Sequence, residues 1–148
     1  MPNLESLYHE VILDHGRRPR FAQFPAGANR EAEGHNPLCG DRIVLKLRAE
    51  GDVVTEVGFE GKGCAISTAA ASTMAEAIRG KTQSEIRELS RRFRDLVTGK
   101  ADAATGTELG KLGAFAGVSG FPMRVKCATL PWHTLEAALD ESGKATSE

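Results

Sequence analysis

Three cysteines and one aspartate are the residues of this chain whose types and settings favour chemistry. Cys39 lies in the run HNPLCGD, residues 35–41, where a proline and a glycine flank the thiol and Asp41 follows two positions later. Proline and glycine are typical of turns and loops. The run therefore predicts a loop that presents a thiol and a carboxylate side by side.

The other two cysteines have cationic or glycine-rich neighbours. Cys64 ends the run GKGC at the predicted start of a helix, where the helix dipole and Lys62 favour a thiolate. Cys127 follows Lys126 and Arg124, which act in the same sense. Because the thiolate is the form that binds metals and attacks electrophiles, all three thiols are candidates for metal binding or covalent chemistry.

Three thiolates together with Asp41 form a ligand set suited to zinc, or an incomplete all-thiolate iron–sulfur site. The cysteines are separated by 25 and 63 residues without a Cys-x-x-Cys pair, so the spacing of regular zinc fingers is absent. A carboxylate among sulfur ligands indicates a site that releases or exchanges what it holds.

These residues also have a purely structural interpretation. Free cysteines are among the most buried residues in proteins, so Cys64 and Cys127 can simply fill space between helices. Asp41 can start a strand or cap a turn. Cys39 fits this interpretation poorly, because a loop bracketed by proline and glycine is a poor place for a core residue.

One of the four histidines is a further candidate for a metal ligand. His35 adjoins the cysteine loop and is kept as a further candidate ligand. His15, beside Gly16 at the predicted end of a helix, is expected to compensate the helix dipole. His9 and His133 each fall on a predicted helix, where solvated or packing roles are expected.

Periodicity predicts the N-terminal elements that position these residues. An apolar stripe predicts a first helix over residues 4–16. Residues 17–40 are dense in proline and glycine and are predicted to be mostly loop, with a short edge strand at 28–33. Alternation over residues 43–48 and 53–59 predicts an antiparallel hairpin with one buried face.

Helices are predicted for most of the rest. One runs over residues 64–79, and a capping box of Thr82 and Glu85 begins the next, which Gly99 ends. A turn or two of helix is expected at 109–115.

Pro122 suits the first turn of a last helix, which has an apolar stripe through Leu139. Pro131 lies inside that helix and predicts a local kink beside Cys127, because proline cannot donate to the carbonyl four residues back. The polar tail, residues 141–148, is expected to fray.

Composition limits the class of protein. The 148 residues have a formal net charge of -1, which argues against a strongly basic nucleic-acid or lipid-surface binder. The least charged stretch, residues 65–78, is shorter than the roughly 17–25 residues that span a membrane. The charged N-terminus does not resemble a signal peptide, and three cysteines suit a reducing compartment. We therefore expect a single cytoplasmic domain over residues 1–148.

Three sequence blocks together resemble the IscU/NifU-type iron–sulfur cluster assembly proteins. They are NPLCGD at 36–41, GKGCAIS at 61–67 and RVKCATL at 124–130. The resemblance covers nearly the whole chain and implies an IscU/SufE-like α+β fold, with a small antiparallel sheet of about three strands and helices packed on one face. It places the family's metal-ligand positions on Cys39, Asp41, Cys64 and Cys127.

Two departures indicate the SufU-like branch of this family. Lys126 stands where scaffold-type IscU proteins have a histidine before the last cysteine, and the segment between Cys64 and Cys127 is longer than theirs. The run FPMRVK at 121–126 replaces the LPPVK motif through which scaffold-type members engage an Hsp70-type chaperone. Chaperone dependence therefore does not follow from the resemblance.

SufU-like members resemble zinc-bound sulfur acceptors for a pyridoxal-phosphate cysteine desulfurase. The resemblance implies that Cys39 is the sulfur acceptor, that zinc is the metal, and that the chain acts as a sulfurtransferase-like partner rather than a stand-alone enzyme. It also implies a SufS-like desulfurase and downstream cluster-assembly proteins as partners. Two alternatives stay open: a scaffold that assembles a transient [2Fe–2S] cluster on the same ligands, and a structural zinc interaction module.

Overall fold

In the part of the chain that the structure describes, three long strands and a short fourth strand form one sheet. The computed structural model of the chain describes residues 4–37, 40–100 and 109–146. The strands are β1 (Arg30–Asn36), β2 (Asp41–Glu50), β3 (Val53–Lys62) and β4 (Lys144–Thr146). Their order is β3-β2-β1-β4, in which β2 is antiparallel to both of its neighbours and β4 is parallel to β1.

The hairpin prediction is confirmed, and two predictions about the sheet are corrected. The first strand spans Arg30–Asn36 instead of 28–33, and it is not an edge strand because β4 lies on its outer side. The prediction of a frayed tail is wrong over Lys144–Thr146, which pair with β1. The outer edge of β1 offers backbone donors and acceptors that need partners, and the N–H of Glu33 donates to the carbonyl of Gly143 at 2.9 Å.

Within the described residues, four α-helices and one 3₁₀ helix accompany the sheet. They are α1 (Leu4–Arg17), α2 (Ala65–Ile78), α3 (Gln83–Val97), the 3₁₀ helix (Gly110–Gly120) and α4 (Pro122–Leu139). The capping box of Thr82 and Glu85 at the start of α3 is confirmed. Helix α4 continues through Pro131, and a kink there stays a prediction.

The segment before α4 is more ordered than its composition predicts. In place of a turn or two at 109–115, a 3₁₀ helix of 11 residues is present. Its buried residues include Leu112, Phe115 and Val118. A spacing of three residues places these side chains on one face of a helix with three residues per turn, so burial explains the 3₁₀ form.

Helices cover one face of the sheet, as expected. Along β2 the residues Ile43, Leu45 and Leu47 are buried at alternate positions, and α4 packs against β1 and β2. In the same core, the ring of Phe93 stacks on Trp132 with centroids 5.2 Å apart. Among the described residues, none of the helices has both the length and the apolar character that crossing a bilayer requires.

Candidate metal centre

Asp41, Cys64 and Cys127 form a cluster at one end of the sheet. Asp41 is the first residue of β2, Cys64 is the N-cap of α2, and Cys127 lies in the second turn of α4. One ligand atom from each side chain lies within 4.8 Å of the other two. The structure therefore brings together three of the four ligands predicted from sequence, while Cys39 lies outside the described residues.

Asp41 is placed where β2 begins to pair with β1. Asn36, the last residue of β1, pairs with Asp41, and the N–H of Gly40 donates to the carbonyl of Asn36 at 2.8 Å. Gly40 has φ = 77°, a left-handed conformation that glycine adopts without strain. The glycine of the NPLCGD block thus lets the chain enter β2 with Asp41 at its first position.

Cys64 is held against Asp41 by its own backbone. The N–H of Cys64 donates to Oδ1 of Asp41 at 3.1 Å, and its thiol donates to Oδ2 at 3.7 Å. At the start of α2, the N–H of Ser67 in turn donates to Sγ of Cys64 at 3.4 Å. The carboxylate and the sulfur therefore have fixed positions relative to the helix.

Gly63 permits this approach. A Cβ at Gly63 would lie 3.0 Å from Oγ of Ser67 and 3.4 Å from Cγ of Asp41. The sequence analysis did not identify Ser67 as a residue that contacts Cys64 and Gly63. The spacing of Cys64 and Ser67 could have predicted this hydrogen bond. A side chain at an N-cap accepts from the N–H two or three residues later, and Ser67 follows Cys64 by three.

The two described thiols have different environments. Cys127 and Asp41 are each 4% exposed, whereas Cys64 is exposed to solvent. Burial, followed by hydrogen bonding with Asp41 and Cys64, raises the pKa of the Cys127 thiol far above its ordinary value. The metal-free protein therefore keeps Cys127 protonated, and a bound cation would supply the charge that lets it act as a thiolate ligand.

The cluster fits a zinc ion. Zinc takes thiolate and carboxylate ligands at about 2.0–2.3 Å, so the ligand atoms of a tetrahedral site are about 3.3–3.8 Å apart. The distance of 3.7 Å between Sγ of Cys64 and Oδ2 of Asp41 lies in this range. Three residues leave one tetrahedral position for a further ligand.

The histidines do not join this cluster. Within the described part of the chain, the metal-ligating group contains only the aspartate and the two cysteines. His35 is exposed on β1, next to Asn36, which is buried and faces Asp41. Neighbouring residues of a strand point to opposite faces, so His35 points away from the cluster.

His15 is buried, so its predicted role as a dipole-compensating cation is wrong. It is 1% exposed, and its Nδ1 lies 2.7 Å from Oγ of Ser72. The same Oγ accepts the N–H of Arg20 at 2.8 Å. Burial lowers the pKa of His15 and favours the neutral ring.

Known proteins similar to this chain match most of its length. The sequence model described as the NifU-like N terminal domain matches residues 7–139. The zinc-dependent sulfurtransferase SufU of Bacillus subtilis is 43% identical over 95% of this chain and 96% of its own. The iron–sulfur cluster assembly scaffold protein IscU of Streptococcus pyogenes is 37% identical over 98% of this chain and 90% of its own.

A solved structure has the same fold. It is a candidate iron–sulfur cluster assembly scaffold for the SUF system, named FiSufU, from Fervidobacterium islandicum. The two chains are 39% identical and superpose with a TM-score of 0.81, covering 93% of this chain and 99% of the other. The similarity therefore extends beyond the three cysteine blocks to the arrangement of the sheet and helices.

Proposed function

Because the chain belongs to the family of NifU-like N-terminal domains, we propose that it accepts sulfur from a pyridoxal-phosphate cysteine desulfurase on a zinc-bound thiolate. The observation that carries the proposal is the convergence of Asp41, Cys64 and Cys127 from three separate elements. The relative named as a zinc-dependent sulfurtransferase supports zinc as the metal. The chain would act in the cytoplasm as a partner of the desulfurase and would pass sulfur to downstream cluster-assembly proteins.

Asp41, Cys64 and Cys127 would hold zinc, and Cys39 would be both the fourth ligand and the sulfur acceptor. Zinc, when bound, would keep the Cys39 thiol deprotonated and protect it from oxidation. In sequence, Cys39 falls between β1 and β2, whereas Cys64 caps α2 and Cys127 lies within α4. This difference supports Cys39 as the thiol that reaches the donor.

The transfer is a thiol–disulfide exchange. The Cys39 thiolate attacks the terminal sulfur of the persulfide on the desulfurase, forming a new S–S bond while the old S–S bond breaks. The desulfurase keeps a thiolate and Cys39 becomes the persulfide, so electrons and charge balance without an outside oxidant. The transferred sulfur exchanges its bond to the desulfurase cysteine for a bond to Cys39, and its oxidation state does not change.

Asp41 would make the metal site easier to open. Oδ1 of Asp41 accepts the N–H of Cys64, whereas Oδ2 lies 3.7 Å from Sγ of Cys64, so Asp41 would hold the metal with a carboxylate oxygen. A hard oxygen is a weaker partner for zinc than a soft thiolate. One carboxylate among three thiolates therefore lowers the cost of displacing a ligand when the donor arrives.

The Cys39→Ala variant tests the acceptor. We expect it to fold and to receive no sulfur from a purified SufS-type desulfurase, as measured by the mass of the intact protein after reaction with cysteine. The wild-type chain, treated identically, should gain a sulfur atom that a thiol reductant removes. A folded Cys39→Ala protein that stimulates the desulfurase as well as wild type would contradict the proposal.

A second candidate function is assembly of a transient [2Fe–2S] cluster on the same four ligands. The similarity to relatives named as IscU scaffolds favours it. Metal and acid-labile sulfide, measured on protein purified without air, separate the two functions. Zinc without sulfide or colour supports sulfur transfer, whereas iron with matching sulfide and a visible cluster spectrum supports the scaffold.

A further inference from the structure

The outer edge of β3 is covered along only part of its length. At one end, the N–H of Val54 donates to the carbonyl of Lys81 at 3.0 Å. Farther along, the N–H of Phe59 donates to the carbonyl of Phe21 at 3.0 Å. Both backbone groups therefore point away from β2, and the segments before β1 and before α3 cover the edge at these two positions.

Gly61 is the next position whose backbone points outward. Ile43 pairs with Gly61 and Leu45 with Phe59 without a register shift between them, and outward-pointing residues alternate along an antiparallel strand. The N–H and carbonyl of Gly61 therefore face away from β2, as those of Phe59 do. Within the described residues, no backbone hydrogen bond from another segment reaches Gly61.

The covering segment leaves β3 before it reaches Gly61. Continued past Phe21, an antiparallel partner would place Pro19 opposite Gly61, and proline has no N–H to donate. Arg20 is turned toward α2 instead, where its N–H donates to Oγ of Ser72 at 2.8 Å. The hydrogen bond of Arg20 to α2 therefore takes this segment away from the outer edge of β3, so it does not pair with Gly61.

A cavity of about 240 Å³ occupies the gap that results. Its floor includes Ile43, Phe59 and Ala71, and its rim includes Lys62 and Ala22. Small-molecule sites are usually about 300–1,000 Å³, so this cavity is small for a cofactor. It suits one apolar side chain carried by an extended backbone.

The cavity adjoins the metal centre. Gly63 and Ser67 line it, and these residues flank the exposed ligand Cys64. The N–H of Ser67 is also the donor to Sγ of Cys64. A chain bound along Gly61 would therefore reach the cluster directly.

We propose that Gly61 and this cavity, together the edge pocket, bind an extended segment of the sulfur-donating protein. The donor backbone pairs with the N–H and carbonyl of Gly61 as an added strand, and one apolar side chain enters the cavity. Arg42 and Lys62 outnumber Glu60 among the charged residues that line the cavity, which favours an acidic residue in the donor segment. The identity of the occupant rests on the proposed function, because a sulfur donor must approach the metal centre, of which Cys64 is the exposed described ligand.

Hydrogen exchange of the Gly61 amide tests the pairing in the unmodified chain. A purified SufS-type desulfurase is the probe, and exchange is read by NMR after dissociation of the complex. We expect the Gly61 amide to exchange at least tenfold more slowly in the complex. The Val54 amide, already bonded to Lys81, is the internal control and should change little. A complex that leaves Gly61 exchange unchanged overturns the proposal.

Ala22→Trp tests the cavity. Ala22 is exposed at the rim, so a large side chain there fills the cavity without entering the core. We expect the dissociation constant for the desulfurase to rise at least tenfold, with melting temperature and zinc content unchanged. Ala26→Trp is the matched control, since Ala26 is exposed on the same segment outside the cavity.

The outcomes separate this proposal from the proposed function. If wild type binds the desulfurase but takes no sulfur, the proposed function fails and the edge pocket is judged on binding alone. If wild type and Ala22→Trp bind equally well and both take sulfur, the edge pocket fails and the proposed function stands. No binding by wild type overturns both.

Discussion

Gly34 and Thr134 are in direct contact where β1 meets α4. A Cβ on Gly34 would lie 1.9 Å from Oγ1 of Thr134, and Thr134 is fully buried with its hydroxyl donating to the carbonyl of Leu130 at 2.8 Å. The absence of a side chain at Gly34 therefore lets α4, which carries Cys127, lie close on the sheet.

We expect Gly34→Ala to lower the free energy of unfolding by about 1–3 kcal/mol, because the added methyl group must displace a packed helix. Urea denaturation measures the change. Gly117→Ala is the matched control, since no atom lies within 4 Å of a Cβ there. The double variant with Thr134→Ala should recover part of the loss. A Gly34→Ala protein as stable as wild type would show that α4 shifts freely.

Removal of metal should leave the fold intact. Trp132 and Phe93 are fully buried in a hydrophobic core that contains no metal ligand, and Asp41 and Cys64 already contact each other by hydrogen bonds. We expect chelation to preserve the far-UV circular dichroism while lowering the melting temperature. At a free zinc concentration 1,000 times the dissociation constant, binding stabilises by about 4 kcal/mol. Complete unfolding on chelation would instead support a structural zinc module.

The two described thiols should differ in reactivity in the metal-free protein. Cys64 is exposed, whereas burial raises the pKa of Cys127 and keeps it protonated. In a metal-free Cys39→Ala background, we expect a thiol reagent to label Cys64 at least tenfold faster than Cys127. Adding Cys64→Ala should remove the fast phase, and adding Cys127→Ala should retain it. Equal labelling rates would contradict the burial of Cys127.

His15 should make stability depend on pH. Burial, with the nearby charges of Arg20 and Lys111, lowers its pKa in the folded protein below 6.5. Below pH 6.5 the unfolded chain therefore binds more protons than the folded protein. The contribution of His15 to the free energy of unfolding is complete above that pH and is lost as the pH falls through the folded pKa. His15 changes the free energy of unfolding by at most about 1.4 kcal/mol per pH unit.

Denaturation of His15→Gln between pH 7 and pH 5 measures this contribution. We expect a shallower loss of stability than in wild type. His9→Gln, at an exposed position of the same helix, should keep the wild-type slope. Identical slopes in wild type and His15→Gln would show that another group carries the effect.

Local patterns predicted much of the fold because they depend on neighbouring residues. Alternation identified the β2–β3 hairpin, and the spacing of Thr82 and Glu85 identified the capping box. The extent of the 3₁₀ helix was not predictable from its small residues, since burial of Phe115 against Phe93 stabilises it. The role of His15 was missed for the same reason, because Ser72 is 57 positions away.

The sequence by itself determined the types and local settings of the candidate ligands: a carboxylate after a loop glycine, a thiol at a helix start and a thiol within a helix. Only the tertiary structure decided that Asp41, Cys64 and Cys127 meet, that Cys64 is open to solvent, and that β4 covers β1. The physical reason is that these contacts join residues far apart in the chain. They depend on the packing of α2 and α4 and on backbone hydrogen bonds that no local pattern encodes.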